Sequence, residues 1–221
     1  MNGKLIVLDG LDGCGKSTQF ERIKNYLNET NQKYKAISFP EYDKPSSALI
    51  KMYLGGEISA NANDINAYAA SSFYAVDRYV SYKKYWEENY KNGELILASR
   101  YITSNAIHQM AKMDKSLWDD FIKWLFDYEC NKLGMPYPDT VIFLDMPTSV
   151  SQKLLLKRYD GDENKKDIHE SNIDYLNACR ESALYAASKL GWKVVKCSQD
   201  NEPLPIEVIA KNIQNIIKES L

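Results

Sequence analysis

Short apolar segments alternate along the chain with longer stretches in which hydrophobic residues recur at helical spacing. The apolar segments lie at residues 5–8, 36–39, 95–98, 141–144 and 194–197 and contain mainly Val, Ile, Leu, Ala and Phe. Apolar runs this short, separated by amphipathic helices, are typical of parallel strands that are buried on both faces. The pattern therefore predicts an α/β fold built on a parallel sheet.

The helical stretches lie near residues 16–29, 46–54, 63–91, 103–110, 115–132, 148–157, 171–190 and 205–219. No internal repeat or low-complexity linker separates them, so a single domain over residues 1–221 is predicted. The segment 159–167 is polar and charged after its initial tyrosine. Because such a segment cannot bury itself, it is predicted to form a surface loop or a mobile flap.

The charge and hydropathy of the chain argue against two classes of partner, nucleic acid and membranes. The chain has 28 basic and 30 acidic residues and a net charge of −2, so no broad positive field favours nucleic acid or an anionic membrane. No apolar stretch is long enough to span a bilayer, and Asp9 and Asp12 interrupt the N-terminal apolar segment, unlike a secretory signal. We expect a cytoplasmic protein that binds neither nucleic acid nor a membrane.

The cysteines are widely scattered and lack metal-ligand spacing. They are expected to be reduced thiols. Cys130, Cys179 and Cys197 are predicted to pack as small hydrophobes, and Cys14 is predicted to be an incidental loop residue.

A phosphate-binding motif follows the first predicted strand directly. The nine residues are Gly10, Leu11, Asp12, Gly13, Cys14, Gly15, Lys16, Ser17 and Thr18, which fit the pattern Gly-x4-Gly-Lys-Ser/Thr. Glycines let successive N–H groups point at one anion, and the helix that follows adds the positive end of its dipole. Lys16 is expected to reach the β- and γ-phosphates of ATP, and the Ser17 hydroxyl to ligate Mg²⁺. The alternative is an ordinary glycine-rich turn between a strand and a helix.

Further segments follow this loop in a characteristic order. They are Phe39-Pro40-Glu41-Tyr42, Tyr74-Ala-Val-Asp77-Arg78, Arg100-Tyr101-Ile-Thr-Ser104-Asn105 and the charged segment after Lys157-Arg158. Together with the phosphate loop, they resemble the thymidylate kinase family of P-loop nucleoside monophosphate kinases over nearly the whole chain. The resemblance implies a three-layer P-loop fold with a five-stranded parallel sheet, a mobile lid at about 158–168 and a homodimer. It also implies transfer of the ATP γ-phosphate to dTMP with Mg²⁺, giving dTDP and ADP for dTTP synthesis.

The resemblance also implies roles for individual residues. Asp12 would lie near the sugar hydroxyl and the metal, although it could instead stabilise the turn. Arg100 would grip the acceptor phosphate, although it could instead pair with a surface acid. Tyr74 would stack on thymine while Arg78, on the same helix face, donates to a base carbonyl; ordinary helix packing is the alternative.

The remaining expected site residues surround the same substrate. Phe39 and Tyr42 would line the monophosphate pocket, with Ser104, Asn105 and His108 close to the base and sugar, although His108 could be structural. The candidate lid cations are Arg158, Lys165 and Lys166, and the expected catalytic set is Lys16, Asp12, Arg100 and Arg158.

The chain departs from the family pattern beside two of these residues. Ser99 stands where an acid usually precedes Arg100, so Asp12, Glu41 or a water would have to replace it. Gly13 stands where some members carry a catalytic cation, which leaves that task to the lid. Another nucleotide or nucleoside kinase, or a non-catalytic nucleotide-binding protein, therefore remain alternatives.

Two further features have more than one interpretation. The aromatic stripe of Tyr79, Tyr82, Trp86 and Tyr90 could be core or a dimer face. Asp145, at the end of the fourth predicted strand, could be a site residue or a helix cap.

Overall fold

Five parallel strands form the centre of the computed structural model, which describes residues 2–59, 64–158 and 173–221 and only the backbone at 157 and 158. They are β1 (Leu5–Gly10), β2 (Tyr34–Ser38), β3 (Leu95–Ser99), β4 (Thr140–Asp145) and β5 (Lys193–Lys196), with the order β2-β3-β1-β4-β5 across the sheet. The prediction of five parallel strands is confirmed. A short antiparallel pair, β6 (Ser198–Gln199) and β7 (Glu202–Pro203), follows the sheet.

Helices cover both faces of the sheet. They are α1 (Lys16–Glu29), α2 (Ala48–Leu54), α3 (Ala67–Ser81), α4 (Glu87–Lys91), α5 (Ile102–Met110), α6 (Trp118–Phe126), α7 (Thr148–Arg158), α8 (Ile173–Leu190) and α9 (Ile206–Ser220). Lys165 and Lys166 lie outside the described residues, as does the side chain of Arg158.

The central strand β1 is buried along its whole length. Because successive side chains of a strand point to opposite faces, β1 contributes to two separate cores. Leu5 and Val7 pack in a cluster with α5, α6 and α8, whereas Ile6 and Leu8 pack in a cluster with α1 and α9. The result is three layers, with helices on either side of one sheet.

The parallel order brings the ends of neighbouring strands to one edge of the sheet. Gly10, Ser38, Ser99 and Asp145 are the last residues of β1, β2, β3 and β4. Ligands of open parallel sheets bind beyond this edge. The loops that follow these residues therefore surround the candidate site.

The helix predicted over residues 63–91 is divided in the structure. α3 ends at Ser81, a π-turn occupies Tyr82–Trp86, and α4 follows. The extra residue of a π-turn shifts the helical register. The residues of the predicted aromatic stripe therefore do not all lie on one helix face. Tyr82 and Trp86 are buried at 6% and 1% exposure, whereas Tyr79 is 38% exposed.

Cys14 lies in the loop between β1 and α1 as predicted, but it is not incidental there, since it is buried like the other three cysteines. Cys14 packs in the same cluster as Ile6 and Leu8, and its Sγ lies so close to Gly10 that a Cβ there would approach it to 2.6 Å. Burial raises the pKa of the Cys14 thiol, so it packs as an inert small hydrophobe.

Within the described ranges, no helix is both long and apolar enough to cross a bilayer.

Candidate active site

The phosphate loop joins β1 to α1 and forms one wall of a cavity of about 820 Å³. Gly13 and Gly15 have φ angles of 77° and 84°, which glycine adopts without strain. α1 begins at Lys16, so its N-terminus faces this cavity. Lys16 Nζ donates to the carbonyl oxygen of Gly10 at 3.2 Å. Burial lowers the pKa of Lys16, and the charge of Arg100 lowers it further.

The opposite wall of this cavity was not predicted from the sequence. It consists of the segment from Pro203 to the start of α9, together with Met146, Leu154 and Leu155. Gln19 of α1 donates to the carbonyl oxygen of Ile206 at 3.0 Å and ties this segment to the phosphate loop. The Pro203-Leu204-Pro205 sequence before a helix was the only local signal for this wall. We call this the donor cavity.

A second cavity, of about 360 Å³, lies beyond the ends of β2 and β3. All the residues expected to bind the monophosphate line it: Asp12, Phe39, Tyr42, Tyr74, Arg78, Arg100, Ser104, Asn105 and His108. Asp12 also lines the donor cavity, so the two cavities meet at this residue. We call the second one the acceptor cavity.

Arg100 is directed into the acceptor cavity by an unusual backbone conformation. Its φ angle is 64°, in the left-handed region that non-glycine residues rarely adopt, and its N–H donates to the carbonyl oxygen of Leu8 at 3.0 Å. Arg100 Nη2 donates to Asp12 Oδ1 at 2.7 Å. Burial opposes the charge of Arg100, but the carboxylates of Asp12 and Asp9 outweigh this effect and raise its pKa above the ordinary value.

His108 contacts Arg100 from the other side. The distance between Arg100 Nη1 and His108 Nε2 is 3.0 Å. Because a guanidinium can only donate, His108 Nε2 is the acceptor and the ring proton lies on Nδ1, 3.6 Å from Cys179 Sγ. His108 therefore lines the cavity and also holds Arg100 in place.

Arg78 lies at the inner end of the acceptor cavity in a buried ion pair. Its Nε and Nη2 donate to Glu129 Oε2 and Oε1 at 2.7 and 2.6 Å. Arg78 is only 2% exposed and Glu129 is fully buried. Sequence reasoning missed Glu129, which lies in the π-turn Asp127–Lys132 inside a stretch predicted as a regular helix.

Comparisons with known proteins identify the family of this chain. A family model for thymidylate kinase covers residues 8–207. The chain belongs to the thymidylate kinase family. Curated thymidylate kinases of Prochlorococcus marinus and Bifidobacterium longum are both 27% identical to it, over 100% and 99% of this chain and 96% and 99% of their own lengths. A solved thymidylate kinase of Candida albicans has the same fold, with a TM-score of 0.68 at 20% identity, covering 99% of this chain and 92% of that one.

Family membership assigns the thymidylate kinase reaction to this chain and does not favour the alternatives. In this member of the family, the acid partners of Arg100 come from β1 and the loop after it rather than from position 99. Asp12 holds Arg100 directly, and Asp9 Oδ1 lies 4.0 Å from Arg100 Nη1. Glu41, the other acid expected as a possible replacement, accepts from Ser81 Oγ at 2.9 Å instead.

Asp9 is a site residue that sequence reasoning missed, because it reads as part of a buried strand. It is fully buried and accepts hydrogen bonds from Thr103 Oγ1 at 2.7 Å and Ser104 Oγ at 2.8 Å. These bonds attach the start of α5 to the end of β1. Asp9 therefore helps to position the segment that carries Arg100, Ser104 and Asn105.

Packing explains why this family member has glycine at position 13. A Cβ on Gly13 would lie 2.8 Å from the carbonyl oxygen of Ser151 and 2.9 Å from Leu155 Cγ. No side chain fits between the phosphate loop and α7 at this point, so position 13 cannot carry a cation.

The segment after β2 is held by a buried carboxylate of α3. Asp77 accepts from the Glu41 N–H at 3.0 Å and from Ser46 Oγ at 2.6 Å. Because Phe39 and Tyr42 flank these contacts, Asp77 positions one wall of the acceptor cavity. Asp77 was named only as part of a motif, and its partners are 31 and 36 residues away.

The acceptor cavity is also lined by Lys112 and Tyr53, neither of which was predicted. Lys112 Nζ donates to the Tyr53 hydroxyl and lies over the Tyr53 ring, 5.1 Å from its centroid. Burial lowers the pKa of Lys112 to about 8. Tyr53 in turn packs edge-on against Tyr74, whose pKa is raised by burial.

Asp145 lines neither the donor cavity nor the acceptor cavity, and its carboxylate does not cap a helix. Its carboxylate accepts from Arg180 Nε at 2.6 Å and Nη2 at 3.0 Å. This ion pair joins the end of β4 to α8. The interpretation of Asp145 as a cap of α7 is therefore wrong.

Proposed function

We propose that this chain transfers the γ-phosphate of ATP, bound in the donor cavity, to dTMP, bound in the acceptor cavity. The observation that supports this assignment best is the shared position of Asp12. Lys16 lies on its donor side and Arg100 on its acceptor side, so cations from both cavities approach one point. A donor and an acceptor phosphate bound by these cations would meet end to end.

The roles of the residues follow from their chemistry. The acceptor oxygen of a monophosphate is already anionic, so no strong general base is required. Lys16 and the N–H groups of the phosphate loop would neutralise the transferred phosphoryl group, and Arg100 would bind the acceptor phosphate. Asp12 and His108 hold Arg100 in position before substrate binds.

The donor set of the phosphate loop fits Mg²⁺. No group of three or more His, Cys, Asp or Glu side chains that could hold a metal occurs among the described residues. Mg²⁺ commonly binds through one or two protein oxygens plus phosphate oxygens and water, and the exposed Ser17 hydroxyl at the start of α1 can supply one of these. Bound Mg²⁺ would neutralise phosphate charge, while Lys16 and Arg100 orient the reacting groups.

The remaining parts of the proposal rest on the sequence. Tyr74, which lines the acceptor cavity, would stack on thymine. Arg158, Lys165 and Lys166 are the proposed lid cations of a single kinase domain. A cytoplasmic location stays a prediction.

A homodimer fits the exposed face of α3. Tyr68, Val76 and Tyr79 follow one another at helical spacing and are 38–41% exposed. A second copy of the chain would bury this stripe. A Val76→Glu substitution should shift the mass measured by light scattering from dimer to monomer if this is the interface.

An acceptor panel tests the reaction. Purified protein with Mg-ATP should release ADP when dTMP is added, and release far less with purine monophosphates or with thymidine. Another preferred acceptor would identify a different kinase. ATP binding without any acceptor-dependent ADP would indicate a non-catalytic protein.

A further inference from the structure

Glu129 is a fully buried carboxylate whose interactions are with residues of the acceptor cavity rather than with the phosphate-binding groups. Its Oε2 accepts from Arg78 Nε at 2.7 Å. Its Oε1 accepts from Arg78 Nη2 at 2.6 Å and from Asn105 Nδ2 at 3.3 Å. Arg78 and Asn105 both line the cavity, so one carboxylate holds two of its polar side chains.

These contacts determine the orientation of the Asn105 amide. Asn105 Nδ2 also donates to the carbonyl oxygen of Ser71 at 3.2 Å. Glu129 and the Ser71 carbonyl present acceptors here, so both amide hydrogens of Asn105 must point to them. Asn105 Oδ1 is thereby left as an acceptor at the cavity wall.

The same carboxylate determines which edge of Arg78 faces the cavity. The carboxylate of Glu129 accepts the hydrogen of Arg78 Nε and one hydrogen of Arg78 Nη2. The carbonyl oxygen of Tyr101 accepts one hydrogen of Arg78 Nη1 at 3.3 Å. The hydrogens that remain lie on Nη1 and Nη2, and a guanidinium can only donate. The inner end of the cavity therefore presents a donor from Arg78 beside an acceptor from Asn105.

We propose that Glu129 sets the nucleobase specificity of the acceptor site by fixing this donor–acceptor pair. The pair complements a pyrimidine in which a carbonyl oxygen lies beside a ring N–H, as in thymine and uracil. Cytosine presents an amine and an unprotonated ring nitrogen instead, which mismatches both groups. Sites built to hydrogen-bond a substrate reject analogues that leave buried groups unpaired. This inference rests on the proposed function and adds a specificity-determining residue to it.

Glu129→Gln tests the proposal because it keeps the shape of the side chain and replaces one accepting carboxylate oxygen with a donating N–H₂ group. The new amide can donate to Asn105, which then can rotate and present its N–H₂ group to the base. We expect the KM for dTMP to rise about tenfold while kcat changes less than about threefold. The ratio of kcat/KM for dCMP to that for dTMP should rise at least about tenfold. An unchanged ratio in a folded Gln variant would overturn the proposal.

Two further variants separate specificity from a merely structural role. Asp77→Asn also removes a buried carboxylate charge that supports one wall of the acceptor cavity, but Asp77 binds the segment after β2 and not Arg78 or Asn105. It should alter the KM for both monophosphates alike and leave the dCMP to dTMP ratio unchanged. Glu129→Asp keeps an acceptor and should retain the preference for dTMP. A ratio that rises equally in Asp77→Asn would overturn the proposal.

The test does not depend on the folding of the Gln variant. Asn105→Ala removes the acceptor and leaves the Arg78–Glu129 ion pair intact, so discrimination against dCMP should again fall at least about tenfold. An Asn105→Ala variant as selective as wild type would overturn the proposal. Failure of wild type to form ADP with any monophosphate would instead contradict the proposed function itself.

Discussion

Arg100 and Asp12 form an ion pair at the junction of the donor and acceptor cavities, with 2.7 Å between Nη2 and Oδ1. Both groups are only partly exposed, at 17% and 33% of their side-chain surface. The pair holds the guanidinium where the acceptor phosphate is proposed to bind. An incoming phosphate can share or replace the carboxylate, because both are anions that suit the planar fork of arginine.

Replacement of Arg100 by alanine should therefore damage acceptor binding selectively. We expect kcat/KM for dTMP to fall by about 100-fold or more, since one charged donor to a reacting phosphate is lost. The dissociation constant of ATP should change less than about threefold, because the donor cavity keeps its other walls. Steady-state kinetics and titration calorimetry measure the two quantities. Equal losses on both substrates would contradict the assignment.

Lys16→Ala should abolish turnover without unfolding the protein. Lys16 bonds only the Gly10 carbonyl oxygen among the described contacts, and burial lowers its pKa, so its charge costs folding energy rather than supplying it. We expect a melting temperature at or above that of wild type and a rate at least about 1,000-fold lower. Circular dichroism and ADP release give the two readings. Retention of half the wild-type rate would end the catalytic assignment.

Ser99→Asp would restore the acid usual in the family but should not increase the rate. Arg100 already has Asp12 at 2.7 Å and Asp9 at 4.0 Å, and both carboxylates raise its pKa. Ser99 is only 9% exposed, so a third acid would place a further carboxylate at a buried strand end without giving Arg100 a missing partner. We expect kcat with dTMP to stay within about threefold of wild type or to fall. A faster variant would show that Asp9 and Asp12 do not replace the missing acid.

Lys112 should make acceptor binding depend on pH. Burial lowers its pKa to about 8, so the side chain is charged below that pH and neutral above it. The charged form attracts the dianionic monophosphate into the same cavity. The KM for dTMP should therefore be lowest below pH 8 and rise about fivefold between pH 7 and pH 9.

The matched variants for this prediction are Lys112→Met and Lys115→Met. Lys112→Met removes the buried charge and should give a higher KM that no longer changes between pH 7 and pH 9. Lys115 is exposed and pairs with Glu181, outside the lining of the cavity, so its replacement should leave the pH profile unchanged. A Lys112→Met profile identical to that of wild type would rule out this role for the lysine.

The sequence predicted the strands and most helices because hydrophobic spacing is a local property of the chain. The register of Leu5 with Ile96 and of Val7 with Val141 realises the expected buried parallel sheet. The π-turns at Tyr82–Trp86 and Asp127–Lys132 were not predicted, because one inserted residue leaves the apolar pattern almost unchanged. The second of these turns carries Glu129, so that omission also concealed a partner of Arg78.

The candidate site also has a part that the sequence predicted and a part that only the tertiary structure decided. Consecutive residues of the phosphate loop were sufficient to predict one wall of the donor cavity, with Lys16 and Ser17 in it, since glycines and a helix start determine that geometry locally. Which carboxylate holds which arginine was decided by the tertiary structure alone. Arg78 is 51 residues from Glu129, and Arg100 is 88 residues from Asp12. Such pairs depend on how strands and helices pack, because a buried charge is stable only beside a partner that folding brings to it.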